Sequence, residues 1–231
     1  MLYKVIVCDP PWPEQGGGKS KRGADKHYPL MKVREIKALP VRSLADPAGC
    51  LLWLWATGNY LADAIDCARA WGFRVVTFRP WVKAEVEGFC VESSGMVKPQ
   101  NPGLGQRMRC DAEIVLLCTL GHVPLPDVKH RQTLYAPRTA HSAKPDLLYE
   151  QIEKETEARP RLDMFARRAR EGWEVFGNEA PGSIELPTSN TWSIPPPEDP
   201  SILIERELSR LVDDAPLAGY EGYYDQEEVP A

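Results

Sequence analysis

The run Val5-Ile6-Val7-Cys8, followed at once by Asp9-Pro10-Pro11-Trp12, constrains this chain more than any other stretch. A short apolar run without alternation predicts a strand covered on both faces, as in parallel sheets. Two prolines in succession remove backbone donors and fix φ, so the strand has to stop at Asp9. The sequence therefore delivers a carboxylate to the carboxyl end of a buried strand, where open α/β sheets bind ligands.

The rest of the chain repeats the same alternation. VREIKAL has helical apolar spacing, and GCLLWLWA reads as a second buried strand. Residues Asn59 to Ala70 place Leu61, Ala64, Ile65 and Ala68 on one helical face, and RVVTFRPWV follows as a strand at crossover length. Residues 84–108 carry glycines and prolines without period and predict a long loop of the kind used as a lid or binding segment. Asp111 to Leu120 is the next expected strand, and Lys144-Pro145 opens a helix with Leu148 and Ile152 on one face. Arg161 to Phe165 and Trp173 to Phe176 predict short closing strands. The expectation is an α/β fold with a mostly parallel, twisted sheet and helices on both faces, spanning residues 1–180. Residues 181–231 read as an acidic, proline-rich tail with one possible helix near 201–213.

Charge sharpens this division. Beyond residue 180 there are eleven Asp and Glu against Arg206 and Arg210, a balance of −9, which leaves +4 on residues 1–180 out of the total of −5. Residues 19–42 hold eight Lys and Arg against Asp25 and Glu35, enough to follow a phosphate backbone, or simply a solvated loop. The scattered cysteines and histidines lack metal-binding spacing, so buried free thiols and no structural metal are expected. No stretch approaches the roughly 18 apolar residues of a membrane span, and the start has no signal-peptide pattern, so a cytoplasmic protein is expected. Gly16 to Ser20 imitates the end of a phosphate-binding loop, but Pro13 stands where its first glycine belongs.

The chemistry of Asp9-Pro10-Pro11-Trp12 suits an exocyclic amine. The lone pair of an aromatic amine is conjugated into its ring, so a site that alkylates it has to accept hydrogen bonds from both amine protons and hold the nitrogen in line. Asp9 supplies one acceptor and the Pro10 carbonyl the other, with Pro11 stiffening the turn. Trp12 offers a face for a base flipped out of a duplex or already single-stranded, worth about 1–3 kcal/mol per stacked base. Tyr28 is a second candidate for that face.

These residues resemble the D-P-P-W (MT-A70-like) class of N6-adenine methyltransferases, in its bacterial and phage form. HYPLMKVREIKALPV, LLWLWATGNYLADAIDCARAWGFRVV with PWVK, GLGQRMRCDAEIVLLCTLG, HSAKPDLLYEQIE, LDMFARR and GWEVFGNE follow in the family's order over about residues 3–180. The resemblance implies a Rossmann-like S-adenosylmethionine-dependent methyltransferase fold with permuted motif order, the catalytic strand first and the cofactor block last. It implies that Asp9, Pro10, Pro11 and Trp12 form the amine site with Tyr28 and Trp55 nearby. Lys19, Lys21 and Arg22 would meet the nucleic acid. His141, Ser142, Lys144, Asp163, Phe165, Arg167, Asn178 and Glu179 would surround S-adenosylmethionine, with Lys144 on its carboxylate and Asn178 or Glu179 on its ribose. Gln106 departs from the aromatic that many members carry there.

The implied activity is methyl transfer to N6 of adenine in nucleic acid, with DNA favoured over RNA because the chain is short and has a basic loop. Two other readings stay open: an RNA adenosine methyltransferase, and a catalytically silent scaffold subunit. Disruption of D-P-P-W would favour the scaffold, and the motif is intact. A monomer or homodimer without membrane attachment is expected.

Overall fold

The computed structural model describes residues 1–14, 30–85, 108, 110–138, 143–178 and 180–187. Most of the expected 84–108 loop, Cys90 and the tail beyond 187, including its expected helix, lie outside the described residues.

The catalytic-strand candidate is β1, Val5–Cys8, buried along its whole length. Two short helices follow, α1 (Val33–Lys37) and α2 (Val41–Leu44), then β2 (Gly49–Ala56), a 3-10 turn (Gly58–Tyr60), α3 (Leu61–Ala70) and β3 (Arg74–Lys83). The second half holds β4 (Ala112–Gly121), β5 (Leu134–Ala136), α4 (Asp146–Glu155), β6 (Arg161–Met164) and β7 (Glu174–Phe176). The helix α2 and strand β5 are additions to the sequence expectation. Both are too short, at four and three residues, to show a period.

The seven strands form one sheet in the order β5-β3-β4-β2-β1-β6-β7. β1 runs parallel to β2 and β6, β6 to β7, and β3 to β5, while β4 is antiparallel to both β2 and β3. One reversed strand thus sits inside a mostly parallel sheet. Strand β1 lies between β2 and β6, so Asp9 emerges among the carboxyl ends of three parallel strands.

Strand alternation divides the core into two layers. Ile6, Cys8, Leu52 and Leu54 face Ile36, Val41, Leu44, Ala64, Cys67 and Ala68, the buried sides of α1 to α3. Val5, Val7, Trp53 and Trp55 face Leu148, Tyr149 and Ile152 of α4. Each fully buried aliphatic side chain contributes about 1.5–3 kcal/mol. On α3, Ala64 and Ala68 are buried as expected, and Cys67 joins them at the i+3 position. Small side chains there let the helix lie close to the sheet.

Arg79 is a buried cation of β3 that closes the α4 layer. Its guanidinium donates to the carbonyls of Gln132 (3.1 Å) and Arg131 (3.0 Å) and to Gln151 Oε1 (2.6 Å), fastening the segment before β5 to the middle of α4. Hydrogen bonds of this kind offset the cost of taking its charge out of water. Of the described cysteines, Cys8, Cys50, Cys67 and Cys118 are buried free thiols, and Cys110 is exposed. That exposure departs from expectation, because Cys110 lies just before β4 and outside its buried run. No helix among the described residues is long and apolar enough to cross a membrane.

Candidate active site

Strand parity decides which side chains meet at the carboxyl edge. Asp9 continues the Val5 and Val7 face, and Asp163 pairs with Val7 on the adjacent strand, so both carboxylates belong to the α4 side. On the other flank, Trp55 of β2, Glu113 of β4 and Trp81 with Lys83 of β3 come into reach through the β2–β4 and β3–β4 registers. Lys144 arrives from the residues just before α4.

Lys144 Nζ lies 2.8 Å from Asp9 Oδ2 and 3.2 Å from Glu113 Oε2, and Lys83 Nζ lies 2.8 Å from Glu113 Oε1. The two lysines and two carboxylates alternate in a neutral chain. Trp55, fully buried, forms its floor, with Lys144 Nζ 5.3 Å from the ring centroid, and Lys83 sits in the same way over Trp81. The two indoles meet edge to face at 5.9 Å.

Burial pushes the Asp9 carboxyl above its usual range against the pull of Lys144 and, more weakly, Arg167. Burial also opposes charge on Glu113, yet Lys144 and Lys83 together hold it down at about 2. Burial disfavours the Lys144 ammonium, but Asp9 and Glu113 more than offset this and raise its pKa.

On β6, Asp163 accepts a hydrogen bond from Tyr149 Oη at 3.0 Å and forms no ion pair among the described residues. Burial, with a smaller contribution from Asp9, pushes its carboxyl up to about 7 against the Tyr149 bond and Arg170. Phe165 follows with φ of +65°, a left-handed conformation that a bulky residue adopts only where its surroundings impose it. Its ring meets Phe176 edge to face at 5.5 Å, and Ala166 N–H donates to Phe176 O at 3.0 Å. Gly177 makes this approach possible, since a Cβ there would stand 2.0 Å from the Ala166 carbonyl oxygen. Arg167, two residues after Phe165, is half-buried, and Asn178 is exposed just past Gly177.

The turn after Asp9 is tightly made. Trp12 N–H donates to Pro10 O at 2.8 Å and Glu14 N–H to Trp12 O at 2.7 Å. Pro10 O therefore carries one internal bond and keeps a second lone pair. Trp12 is only 5% exposed and packs on the α1–α3 side of the sheet, with Tyr60 stacked on its ring at 5.6 Å. Asp9 and Trp12 thus diverge to opposite sides of the sheet edge.

The structure brings together Asp9, Pro10, Pro11, Trp55 and Lys144, with Asp163, Phe165, Arg167 and Asn178 at the neighbouring strand ends. It commits Lys144 to Asp9 and Glu113, where the sequence reading expected it on a cofactor carboxylate. Lys19, Lys21, Arg22, Tyr28, His141, Ser142 and Glu179 lie outside the described residues. Sequence reasoning missed Glu113 and Lys83. A lone acid at the start of an apolar strand carries no signal until the β3–β4 register sets it opposite Trp81.

A mostly parallel sheet with one reversed strand, carrying an Asp-Pro-Pro-Trp turn at its carboxyl edge, defines a methyltransferase of the Rossmann-like class. A family model described as MT-A70 matches residues 3–179, and the chain belongs to that family. It is 32% identical over 210 residues to the type II methyltransferase M.MunI of Mycoplasma sp, a match that covers 80% of this chain and 82% of that protein. It is 29% identical over 188 residues to the N(6)-adenine-specific methyltransferase METTL4 of Homo sapiens, covering 77% of this chain and 37% of the relative. A Drosophila melanogaster N(6)-adenosine-methyltransferase MT-A70-like protein is 26% identical over 190 residues, covering 78% and 27%. The chain spans most of the first of these relatives and well under half of the other two.

Proposed function

We propose that the chain transfers a methyl group from S-adenosylmethionine to the exocyclic N6 of adenine in DNA, with residues 1–180 as the methyltransferase domain. The observation that carries this reading is Asp9 at the carboxyl end of β1, with Oδ2 held by Lys144 at 2.8 Å.

The residues present fit the cofactor. Asp163 is a buried carboxylate without an ion-pair partner among the described residues, which suits a cationic group. Phe165 and Arg167 flank Ala166, and Asn178 follows Gly177, so all three adjoin in sequence the close approach of Ala166 and Gly177, where we place the adenosine moiety. S-adenosylmethionine supplies the electrophilic methyl group. The protein's own part is to accept a hydrogen bond from one amine N–H on Asp9 Oδ1 and from the other on the second lone pair of Pro10 O, which turns the nitrogen lone pair towards the methyl carbon. Asp9, with its raised carboxyl, then takes the proton that the methylated nitrogen releases.

The DNA reading is supported by the relative of similar length, which is a type II methyltransferase, and by the basic excess of residues 19–42. The decisive experiment is transfer of labelled methyl from S-adenosylmethionine to unmethylated DNA and, separately, to total RNA, followed by nucleoside analysis. N6-methyladenine in DNA alone is the expected result. Product in RNA alone would overturn the substrate, and no product on either, with cofactor bound, would favour a scaffold subunit.

A further inference from the structure

The Asp9-Pro10-Pro11-Trp12 turn is fastened to the end of β2 and the segment after it by contacts that methyl transfer itself does not require. Trp12 Nε1–H donates to Trp55 O at 2.9 Å. Its ring lies on Tyr60 with an interplanar angle of 14°, and Tyr60 Oη–H reaches back to Pro13 O at 2.9 Å. Glu14 accepts from Thr57 Oγ1 and, at 3.5 Å, from Asn59 Nδ2. Thr57 itself caps the 3-10 turn, with its carbonyl accepting from Tyr60 N–H at 3.1 Å.

Each such hydrogen bond contributes little net stability on its own. Their joint effect is directional. The same peptide groups that Trp12 and Glu14 anchor also fix the plane of the Pro10 carbonyl, through Trp12 N–H. A catalytic acceptor displaced by about 1 Å loses on the order of a hundredfold in rate, so a latch on the turn governs turnover without touching substrate. Trp12, buried and with Tyr60 against its ring, is shaped as the post of that latch and not as an open platform for a base.

We propose that Tyr60, Thr57 and Glu14 are positioning residues that hold the Pro10 carbonyl at the amine site through Trp12. This rests on the methyltransferase reading above. In the full chain, Tyr60→Ala is expected to lower kcat by roughly tenfold to a hundredfold, with KM for DNA and the dissociation constant of S-adenosylmethionine within about threefold of wild type. Tyr60→Phe keeps the ring stack and loses only the Pro13 bond, so it restores most of kcat. Thr57→Val lowers kcat by a few-fold, and Thr57→Ser restores it.

A second readout is independent of turnover. The Trp12 indole N–H, assigned by Trp12→Phe, exchanges slowly with solvent in wild type and at least about tenfold faster in Tyr60→Ala, with the indole protons of Trp53 and Trp81 unchanged. An unchanged kcat in Tyr60→Ala, a raised KM with kcat intact, or unaltered Trp12 exchange would overturn the latch. Inactive wild type with Trp12 exchange responding as described would instead sink the methyltransferase reading and leave the latch standing.

Discussion

Lys144 Nζ lies 2.8 Å from Asp9 Oδ2 and 3.2 Å from Glu113 Oε2, so one ammonium is shared between a catalytic carboxylate and a second acid on the reversed strand. Asp9 faces Lys144, Glu113, Arg167 and Asp163, and Tyr149 senses its charge from α4. Among these, Lys144 lowers and Glu113 raises the Asp9 carboxyl. The two residues therefore have opposite effects on where Asp9 ionises.

Lys144→Ala should move the acid limb of the kcat/KM profile to higher pH, because Asp9 loses the charge that favours its ionised form. Glu113→Gln should move the same limb to lower pH, because Lys144 then serves Asp9 alone. Shifts in opposite directions are expected from charge pairs at this distance. If Lys144→Ala raises the dissociation constant of S-adenosylmethionine and leaves the limb in place, Lys144 acts on the cofactor carboxylate instead.

Asp9→Ala should reduce methyl transfer by roughly 10²–10⁴-fold, the range for loss of a positioned proton acceptor. Lys144 keeps Glu113 as a counterion in that variant, so the fold and most cofactor affinity should survive. Rapid-quench assays with calorimetric titration of the cofactor measure both. Turnover near the wild-type rate would remove Asp9 from the amine site.

Asp163 links the site to stability. Its folded-state pKa of about 7 lies above the ordinary 3.8, so the native protein holds an extra proton between those values. Stability from this group is complete at low pH and is lost as pH rises through 7. Asp163→Asn has no such loss, and its stability relative to wild type should grow from pH 5 to pH 8 by on the order of 2 kcal/mol. Denaturant melts at both pH values provide the comparison, and parallel pH dependences would refute it.

Gly177→Ala should destabilise the chain by roughly 1–3 kcal/mol, as overpacking of a closed contact does. The new Cβ would stand 2.0 Å from the Ala166 carbonyl oxygen, a backbone atom with no rotamer in which to escape. Separation of β6 and β7 should also weaken cofactor binding several-fold. A variant with wild-type midpoint and affinity would show that these strand ends yield freely.

The strands were legible where one residue pattern had one solution. GCLLWLWA is β2 from Gly49 to Ala56, and the Asp-Pro-Pro stop ends β1 at Cys8, because prolines leave the ladder no donors. The direction of β4 was not legible. An apolar run reads the same whether its neighbours are parallel or antiparallel, and only its pairing with β2 and β3 shows the reversal. Strand β5 was hidden because three residues in a polar stretch have no period.

The sequence by itself determined that a carboxylate and a proline-stiffened carbonyl would stand together at the end of a buried strand, since that depends on adjacent residues and fixed φ. Only the tertiary structure decided what Asp9 meets there. Glu113, Lys83 and Lys144 are far from Asp9 along the chain, and the β3–β4 register and the approach to α4 link them in a chain of ion pairs, Asp9 to Lys144, Lys144 to Glu113 and Glu113 to Lys83, each 2.8–3.2 Å long. Packing likewise sent Trp12 to the side of the sheet opposite Asp9: past the end of β1 its ring lies in the α1–α3 layer with Tyr60 stacked on it, which no pattern of neighbouring residues specifies.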